Sequence, residues 1–267
     1  MPFELQKAHA YGNDFLYLET GDLDRPDGPD LARALCDRHT GAGADGLILF
    51  RPAGSGAAMR LYNADGSFSE VSGNGVRGLA AVRCWAGVRE GRPAPSSMVI
   101  STDAGDKRVE VLSCDPPRFV CRTAMGQPTG IRQAAIDVGG AAIEAVVLRV
   151  GNPQCVVLEQ ELDQARYRRL GAALERHPFF PEGTNVEFAS VESPDLVRIL
   201  IWERGVGPTL ASGTGACAAA VAAMTYAGAA RDVDVASPGG TQRVEWREDG
   251  LYLTGWADVV WEGRWTR

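Results

Sequence analysis

Apolar residues recur along the chain in short runs that are separated by glycine and polar residues. Many of these runs alternate apolar and polar positions, a pattern typical of β-strands with one buried face. The runs of the first part are FLYLE, GLILF, MRLYN, SMVIST, RVEVL and RFVCR, and those of the second part are EAVVLRV, QCVVLE, NVEFASV, LVRILIWE, QRVEWRE and LYLTGW. The pattern predicts a protein built mainly of strands.

Four segments carry helical patterns. Residues 74–86 and 214–228 are apolar nearly all round, so the pattern predicts two buried helices. Residues 26–39 and 162–176 are amphipathic, so they are predicted to be surface helices.

Short motifs repeat in the same order at a nearly constant spacing of 139 or 140 residues. The four pairs are Gly12-Asn13 with Gly151-Asn152, Gly43 with Gly183, Tyr62-Asn63 with Trp202-Glu203, and Ser72-Gly73 with Ser212-Gly213. This spacing indicates a tandem duplication. We therefore predict an α+β fold of two pseudo-symmetric halves, each a curved mixed sheet wrapped round a central buried helix. The halves are predicted as residues 1–125 and 126–256, with a linker around 122–132.

Composition excludes several classes of protein. The 267 residues carry a net charge of −7 and no basic stripe, so nucleic-acid binding is not expected. No apolar segment reaches the ~18 residues that a membrane span needs. The N-terminal residues lack a signal-peptide pattern, so we expect a cytoplasmic protein that does not bind membranes.

Neither a metal nor a cofactor is indicated. The six cysteines form no Cys-x-x-Cys pair and the three histidines have no ligand spacing. We expect the cysteines to be reduced and mostly buried. The chain has two lysines, Lys7 and Lys107, and neither lies beside a phosphate-binding loop. Pyridoxal phosphate, which needs a Schiff-base lysine, is therefore not expected.

The candidate chemistry lies in two turns, VSGNGVR around Ser72 and ASGTGAC around Ser212. Each puts a serine before Gly-x-Gly at the predicted start of a buried helix, where free N–H groups bind anions. Two such turns facing one ligand would suit inversion of a carbon centre, in which one group removes a proton and another returns one on the opposite face. Each serine alone is also explained as a helix N-cap. A dinucleotide site at GNGVRG lacks the preceding strand and the following acidic residue.

The chain resembles the diaminopimelate epimerase family over nearly its whole length. Seven ordered segments carry the resemblance: GNDF (12–15), YNADGS (62–67), SGNGVR (72–77), GNPQCVV (151–157), GTNVEF (183–188), WERGVGPT (202–209) and SGTGACA (212–218). The resemblance implies a cofactor-independent two-base epimerase with a small amino-acid substrate, a cleft between two α/β halves and a homodimer. It also implies that the last strand, near 257–267, crosses back to the first half.

The resemblance also implies a set of site residues. The catalytic positions are Ser72 and Ser212. Substrate-binding positions are Asn13, Asn63, Gly73, Asn74, Asn152, Gln154, Asn185, Glu203, Arg204, Gly213 and Thr214. Taken alone, the asparagines are also explained as turn formers, and Glu203 with Arg204 as an exposed ion pair.

The chain departs from the family pattern at three of these positions. The family carries cysteine where this chain has Ser72 and Ser212, and usually histidine where it has Gln154. Serine is a poor base without an activating group. Cys217 and Cys84 do not replace the missing thiols, because their helical positions point them into the core. The serines could be engineered, belong to a natural branch with altered activity, or mark a non-catalytic relative.

These observations predict an amino-acid epimerase that interconverts LL- and meso-diaminopimelate. The alternative is a divergent or silenced member that binds an amino acid without turnover or racemises a different one.

Overall fold

The structure is a computed structural model that describes residues 3–266, and it is of the α+β class. The described residues form four helices, α1 (Gly28–Cys36), α2 (Gly73–Arg89), α3 (Gln164–Glu175) and α4 (Gly213–Tyr226). The strands of the chain up to Gly126 are β1 (Phe3–Ala10), β2 (Asn13–Glu19), β3 (Gly46–Ala53), β4 (Gly56–Asn63), β5 (Phe68–Ser69), β6 (Ser97–Thr102), β7 (Gly105–Asp115) and β8 (Arg118–Gly126). The later strands are β9 (Thr129–Val138), β10 (Ala141–Val150), β11 (Asn152–Leu158), β12 (Asn185–Ser193), β13 (Leu196–Glu203), β14 (Gly207–Thr209), β15 (Asp232–Ser237), β16 (Gly240–Arg247) and β17 (Gly250–Trp265).

The chain divides into two compact units. The first half comprises the chain up to Thr123 together with the segment from Gly255, and the second half is Ala124–Thr254. Strand β17 contributes to both halves: its residues 250–254 pair with β16 of the second half, and its residues from Asp258 pair with β1 of the first half.

The first half is a mixed sheet around helix α2. Strand β1 pairs antiparallel with β2, β2 runs parallel to β3, and β3 pairs antiparallel with β4. Strand β4 then runs parallel to β6, and β6, β7 and β8 form an antiparallel series. Helix α2 contacts β1, β2, β6 and β7.

The second half repeats this order of pairings. Strands β10 and β11 are antiparallel, β11 and β12 parallel, and β12 and β13 antiparallel. Strand β13 runs parallel to β15, and β15, β16 and β17 are antiparallel. The register corresponds at an offset of 139 residues, because Phe15 lies opposite Gly46 in the first half and Gln154 lies opposite Asn185 in the second. The predicted duplication is therefore visible in the topology.

Small side chains allow the second sheet to close tightly on its helix. Residues from Gly215 to Ala223 of α4 are all buried, and six of these nine residues are alanine. An alanine-rich helix of this kind loses little side-chain entropy when it is buried. A larger residue at Ala219, which is fully buried, would overpack this core at a cost of about 1–3 kcal/mol.

The four predicted helices are present, with shifted ends. The buried helix predicted at 74–86 extends to Arg89, and that predicted at 214–228 ends at Tyr226. The two amphipathic helices are shorter than predicted and bury one face each, through Leu35 in α1 and Leu170 in α3. Asp163 caps α3 by accepting a hydrogen bond from the Arg166 backbone N–H at 2.7 Å.

The boundary between the two units, after Thr123, lies within the predicted linker at 122–132, but this segment is not a loop. Strand β8 continues to Gly126 and β9 begins at Thr129, so only two residues of this segment lie outside strands. Strand β9 pairs with β10, and this ladder holds the second part of the segment. Strands β1, β9 and β15 also lacked a clear apolar run and were not predicted.

The cysteines agree with the prediction of reduced, mostly buried thiols. All six are free, and only Cys114 is partly exposed. Burial raises the pKa of Cys84 to about 12, so this thiol is neutral at ordinary pH. Cys84 and Cys217 are fully buried in the helices, as their positions predicted. None of the helices in residues 3–266 is long and apolar enough to cross a membrane.

Candidate functional site

Ser72 forms the N-terminus of α2. Its backbone is extended (φ −129°, ψ 125°), and its Oγ accepts a hydrogen bond from the Gly75 N–H at 3.1 Å. The Ser72 carbonyl accepts from the Val76 N–H at 2.8 Å. The N–H groups of Gly73 and Asn74 have no acceptor within the helix, because they belong to its first turn. Free N–H groups of this kind, together with the partial positive charge of a helix end, are able to bind an anion.

Asn74 joins this turn to the sheet of the first half. Its Nδ2 donates to Asn13 Oδ1 at 3.3 Å, and its Oδ1 accepts from the buried Arg77 guanidinium. Asn13 in turn donates to Asp45 Oδ2 at 3.0 Å. Sequence positions 13 and 74 are thus brought together beside Ser72 and are already hydrogen-bonded to each other.

Asn63 lies in a tight turn of the same half. Its Nδ2 donates to Ser67 Oγ at 2.9 Å, and its carbonyl accepts from the Gly66 N–H at 2.9 Å. The side chain is exposed and shares no hydrogen bond with Asn13 or Asn74. The turn-forming interpretation accounts for every hydrogen bond that the structure gives this residue.

Ser212 forms the equivalent N-terminus of α4. Its backbone is again extended (φ −135°, ψ 131°), and its Oγ accepts from the Gly215 N–H at 3.3 Å. Thr214 Oγ1 lies 3.5 Å from the same Oγ. Ser212 is more buried than Ser72, with 7% of its surface exposed. The first-turn N–H groups of Gly213 and Thr214 are free of helical acceptors, as in the first half.

Gln154 is the centre of the polar groups beside Ser212. With its nitrogen turned toward Glu187, the amide donates to both carboxyl oxygens at 3.0 and 3.2 Å. Its oxygen then accepts from Asn185 Nδ2 at 3.2 Å and from Thr214 Oγ1 at 3.3 Å. With the amide reversed, its nitrogen donates to Asn152 Oδ1 at 2.6 Å. The second-half positions 152, 154, 185 and 214 therefore form one cluster.

Glu187 is the residue of this cluster that the sequence analysis missed. It is fully buried, and a Cβ on Gly215 would lie 2.7 Å from its Oε1. Burial first, and then the nearby Glu203 carboxylate, raise the pKa of Glu187 well above its ordinary value. The signal in the sequence was an acidic residue inside the apolar run NVEFASV.

Glu203 and Arg204 do not form an ion pair with each other. Glu203 Oε1 accepts from Thr209 Oγ1 at 2.8 Å, and burial raises the pKa of the carboxyl. The Arg204 N–H donates to Asn185 Oδ1 at 2.9 Å, and its guanidinium donates to the Glu182 carbonyl at 2.8 Å. The exposed-ion-pair interpretation of these two residues is wrong.

The two turns differ in the side chains beneath them. The position of Gln154 corresponds to Phe15 in the first half, and that of Glu187 to Ile48. A Cβ on Gly75 would lie 2.8 Å from Ile48 Cδ1, where the Gly215 position faces a carboxyl. The turns share one backbone geometry, but the second has an amide and a carboxyl group where the first has apolar side chains.

Residues 3–266 contain no cluster of three or more His, Cys, Asp or Glu side chains that could hold a metal ion. The chemistry of the two turns is that of hydroxyl groups and helix N–H groups. This arrangement can bind a carboxylate and place a hydroxyl beside it.

Comparison with known proteins identifies the family. The family model described as diaminopimelate epimerase matches residues 5–131 and 146–260. The diaminopimelate epimerase of Desulforudis audaxviator is 41% identical over 281 aligned positions, which cover 99% of each chain. That of Desulfitobacterium hafniense is 38% identical, with 97% of each chain covered.

Solved structures share the fold at low sequence identity. A hydroxyproline epimerase from Agrobacterium vitis has a TM-score of 0.69 and 16% identity, with 98% of this chain and 90% of that chain covered. A predicted epimerase from Pseudomonas aeruginosa has a TM-score of 0.70 and 14% identity, with 99% of each chain covered. The family model and the full-length relatives lead to one conclusion: the chain belongs to the diaminopimelate epimerase family and is an isomerase.

Proposed function

We propose that this protein interconverts LL- and meso-diaminopimelate by two-base proton transfer at the α-carbon, with Ser72 and Ser212 at the two proton-transfer positions. The observation that carries the proposal is the equivalence of the two turns: each serine caps its helix with the same extended backbone and accepts the same hydrogen bond. Two full-length relatives that bear the name diaminopimelate epimerase support the substrate.

The proton balance of the reaction requires one group on each side of the α-carbon. One serine oxygen takes the α-proton, and the other hydroxyl delivers a proton to the opposite face. The N–H groups of Gly75 and Gly215 donate to these oxygens and so favour their anionic form. The remaining first-turn N–H groups hold the α-carboxylate, whose negative charge increases as the proton leaves.

We assign the other site residues to the two ends of the substrate. Asn13 and Asn74 belong to the Ser72 turn, and Asn152, Gln154 and Asn185 to the Ser212 turn. Glu203 and Arg204 provide a negative and a positive group, which suit an ammonium and a carboxylate. Asn63 completes the set as a hydrogen-bond donor, after release of its contact with Ser67.

A second candidate is a protein that binds an amino acid without turnover. The observation that favours it is the apolar surface beneath the Ser72 turn, where Ile48 lies against Gly75. The hydrogen bond that Ser72 Oγ accepts from the Gly75 N–H does not remove its proton, and serine is a weak nucleophile and base without a group that does.

Proton exchange with the solvent distinguishes the two candidates. We expect the protein in deuterated water to incorporate deuterium at the α-carbon of diaminopimelate, as measured by mass spectrometry. A variant with both Ser72→Ala and Ser212→Ala should lose exchange, while Ser190→Ala, a buried serine outside both turns, should retain it. Calorimetric binding of diaminopimelate without any exchange would replace the proposal by the second candidate.

The homodimer and the cytoplasmic location stay predictions. Sedimentation equilibrium of the purified chain tests the first, because a dimer has twice the chain mass of 28.5 kDa. Cell fractionation tests the second.

A further inference from the structure

Glu187 faces helix α4 from the middle of the second sheet. Its strand neighbours Val186 and Phe188 pack into the cluster that contains residues of α3, whereas Ala189 packs with α4. Because side chains alternate along a strand, Glu187 lies on the α4 side. Its position opposite Gly215 follows from this alternation.

Within residues 3–266, no cationic side chain contributes to the electrostatics of this buried carboxyl. The titratable side chains on the elements around it are Glu203 and Arg198 on β13, Cys155 on β11, and Cys217 and Tyr226 on α4. Arg198 is exposed and forms an ion pair with Glu192, and α4 carries no charged residue. Burial raises the pKa of Glu187, and the nearby Glu203 carboxylate raises it further. The hydrogen bond from the Glu187 backbone N–H offsets only part of this increase. The Cys155 thiol is neutral, because burial and then Glu187 raise its pKa. Protonation of Glu187 therefore reduces the free-energy cost of burying its carboxyl group.

The two possible orientations of the Gln154 amide suit different protonation states of Glu187. An ionised carboxylate only accepts hydrogen bonds, so it requires the amide nitrogen to face Glu187. The amide oxygen then faces Asn185 Nδ2 and Thr214 Oγ1. It also lies 2.6 Å from the position of Asn152 Oδ1, so the Asn152 amide turns with it and presents its nitrogen as the donor. A protonated carboxyl can also donate, which permits the reversed amide, with its nitrogen donating to Asn152 Oδ1.

We propose that Glu187 is a positioning residue of the Ser212 turn, whose protonation state sets the orientation of the Gln154 amide and thereby the hydrogen-bond partner offered to Thr214 and Asn185. The Ser72 turn has no counterpart of this device, because Phe15 and Ile48 occupy the equivalent positions. The consequence for turnover rests on the proposed epimerase function, whereas the amide orientation does not.

The test is a pH titration of the whole protein by nuclear magnetic resonance. The ¹³C signal of the Glu187 carboxyl and the side-chain ¹⁵N signals of Gln154 are followed from about pH 5 to pH 10, a range that includes a strongly raised carboxyl pKa. The Gln154 signals are assigned from their loss in Gln154→Met. We expect both residues to titrate with the same midpoint.

Two variants with the same chemical change separate positioning from general effects. Glu187→Gln should abolish the titration of the Gln154 signals. Glu245→Gln removes a nearly buried carboxylate on β16 that is ion-paired with Arg247, and should leave that titration unchanged. The proposal would be overturned if the Gln154 signals stay constant while Glu187 titrates. It would also be overturned if they still titrate in Glu187→Gln. If Glu187→Gln does not fold, the two midpoints of the parent protein decide.

Deuterium incorporation into diaminopimelate provides the functional readout. In the parent protein its pH profile should contain a limb with the midpoint of Glu187, and Glu187→Gln should lose that limb with less effect on KM than on kcat. A protein without turnover still passes or fails the resonance test, so failure of the proposed function is distinguishable from failure of this inference.

Discussion

Glu187 and Ile48 occupy equivalent places in the two halves of the chain, each against the third residue of a serine-capped helix. A Cβ on Gly215 would lie 2.7 Å from Glu187 Oε1, and a Cβ on Gly75 would lie 2.8 Å from Ile48 Cδ1. The duplication therefore preserved the close approach of strand to helix and changed the chemistry of the side chain. The glycines at positions 75 and 215 are required by this approach.

A double-mutant cycle tests the contact between Glu187 and Gly215. Gly215→Ala should destabilise the protein by about 1–3 kcal/mol, because the new methyl group meets the carboxyl. In a Glu187→Ala background the same change should cost less, with a coupling of about 0.5–3 kcal/mol. Urea unfolding measures all four proteins. Additive effects of the two changes would mean that the groups do not touch.

The pH dependence of stability should reveal the proton on Glu187. The folded state binds this proton more tightly than the unfolded state, because the pKa of the buried carboxyl is raised. The free energy of unfolding should therefore fall as pH rises through about 4.3, the usual value of the unfolded chain, up to the folded pKa. The slope from this group is at most about 1.4 kcal/mol per pH unit.

Glu187→Gln should remove this decline and unfold at a higher urea concentration than the parent at pH 8. At pH 4 the difference between the two proteins should be smallest. An unfolding midpoint of the variant that falls with pH in parallel with the parent would contradict the expectation.

Asp14 should stabilise the first half with the opposite pH dependence. Burial raises its pKa, but hydrogen bonds from Arg38 and the Lys7 ammonium outweigh burial and lower the pKa to about 2. This stabilisation is complete above the unfolded pKa, near 4, and is lost as pH falls toward 2. Asp14→Asn should cost roughly 1–2 kcal/mol at pH 7 and much less at pH 2.

Asp30→Asn is the matched control for Asp14, since Asp30 is an exposed partner of Arg33. Exposed pairs of this kind contribute ~0–1 kcal/mol. An equal loss in the free energy of unfolding for the two variants at pH 7 would show that the hydrogen bonds around Asp14 stabilise the protein no more than an exposed ion pair does.

Cysteine at both serine positions should raise exchange activity. Thiols are more acidic than hydroxyls, and the helix N-termini further favour the thiolate. With Ser72→Cys and Ser212→Cys together, we expect deuterium incorporation to rise by about 10²–10⁴-fold, the range of general acid–base catalysis. Each single replacement should give less, because inversion needs a competent group on both faces.

Adding Gln154→His to the double cysteine variant should increase exchange further, because it supplies the imidazole that the family resemblance implies. Ser190→Cys, at a buried serine on β12 outside both turns, is the control and should change nothing. A folded double cysteine variant that exchanges no α-proton of any amino acid would exclude this class of substrate.

The sequence by itself determined the duplication, the strand-rich α+β class and the two buried helices with their serine caps. These features depend on local patterns: alternating apolar residues, an alanine-rich run and Ser-x-x-Gly at a helix start are readable wherever they occur. The repeat spacing of 139–140 residues then identified the corresponding positions of the two halves without structural information.

Only the tertiary structure decided which side chains lie beneath each turn. Gln154 and Glu187 are 33 positions apart, and Glu187 is 28 positions from Gly215. Their meeting depends on the parallel register of β11 with β12 and on the packing of α4 across that pair. For the same reason the sequence located the boundary between the halves within 122–132 but did not reveal β9, which is a strand through its ladder with β10. Contacts between distant segments are set by register and packing, and a linear pattern of residues does not encode them locally.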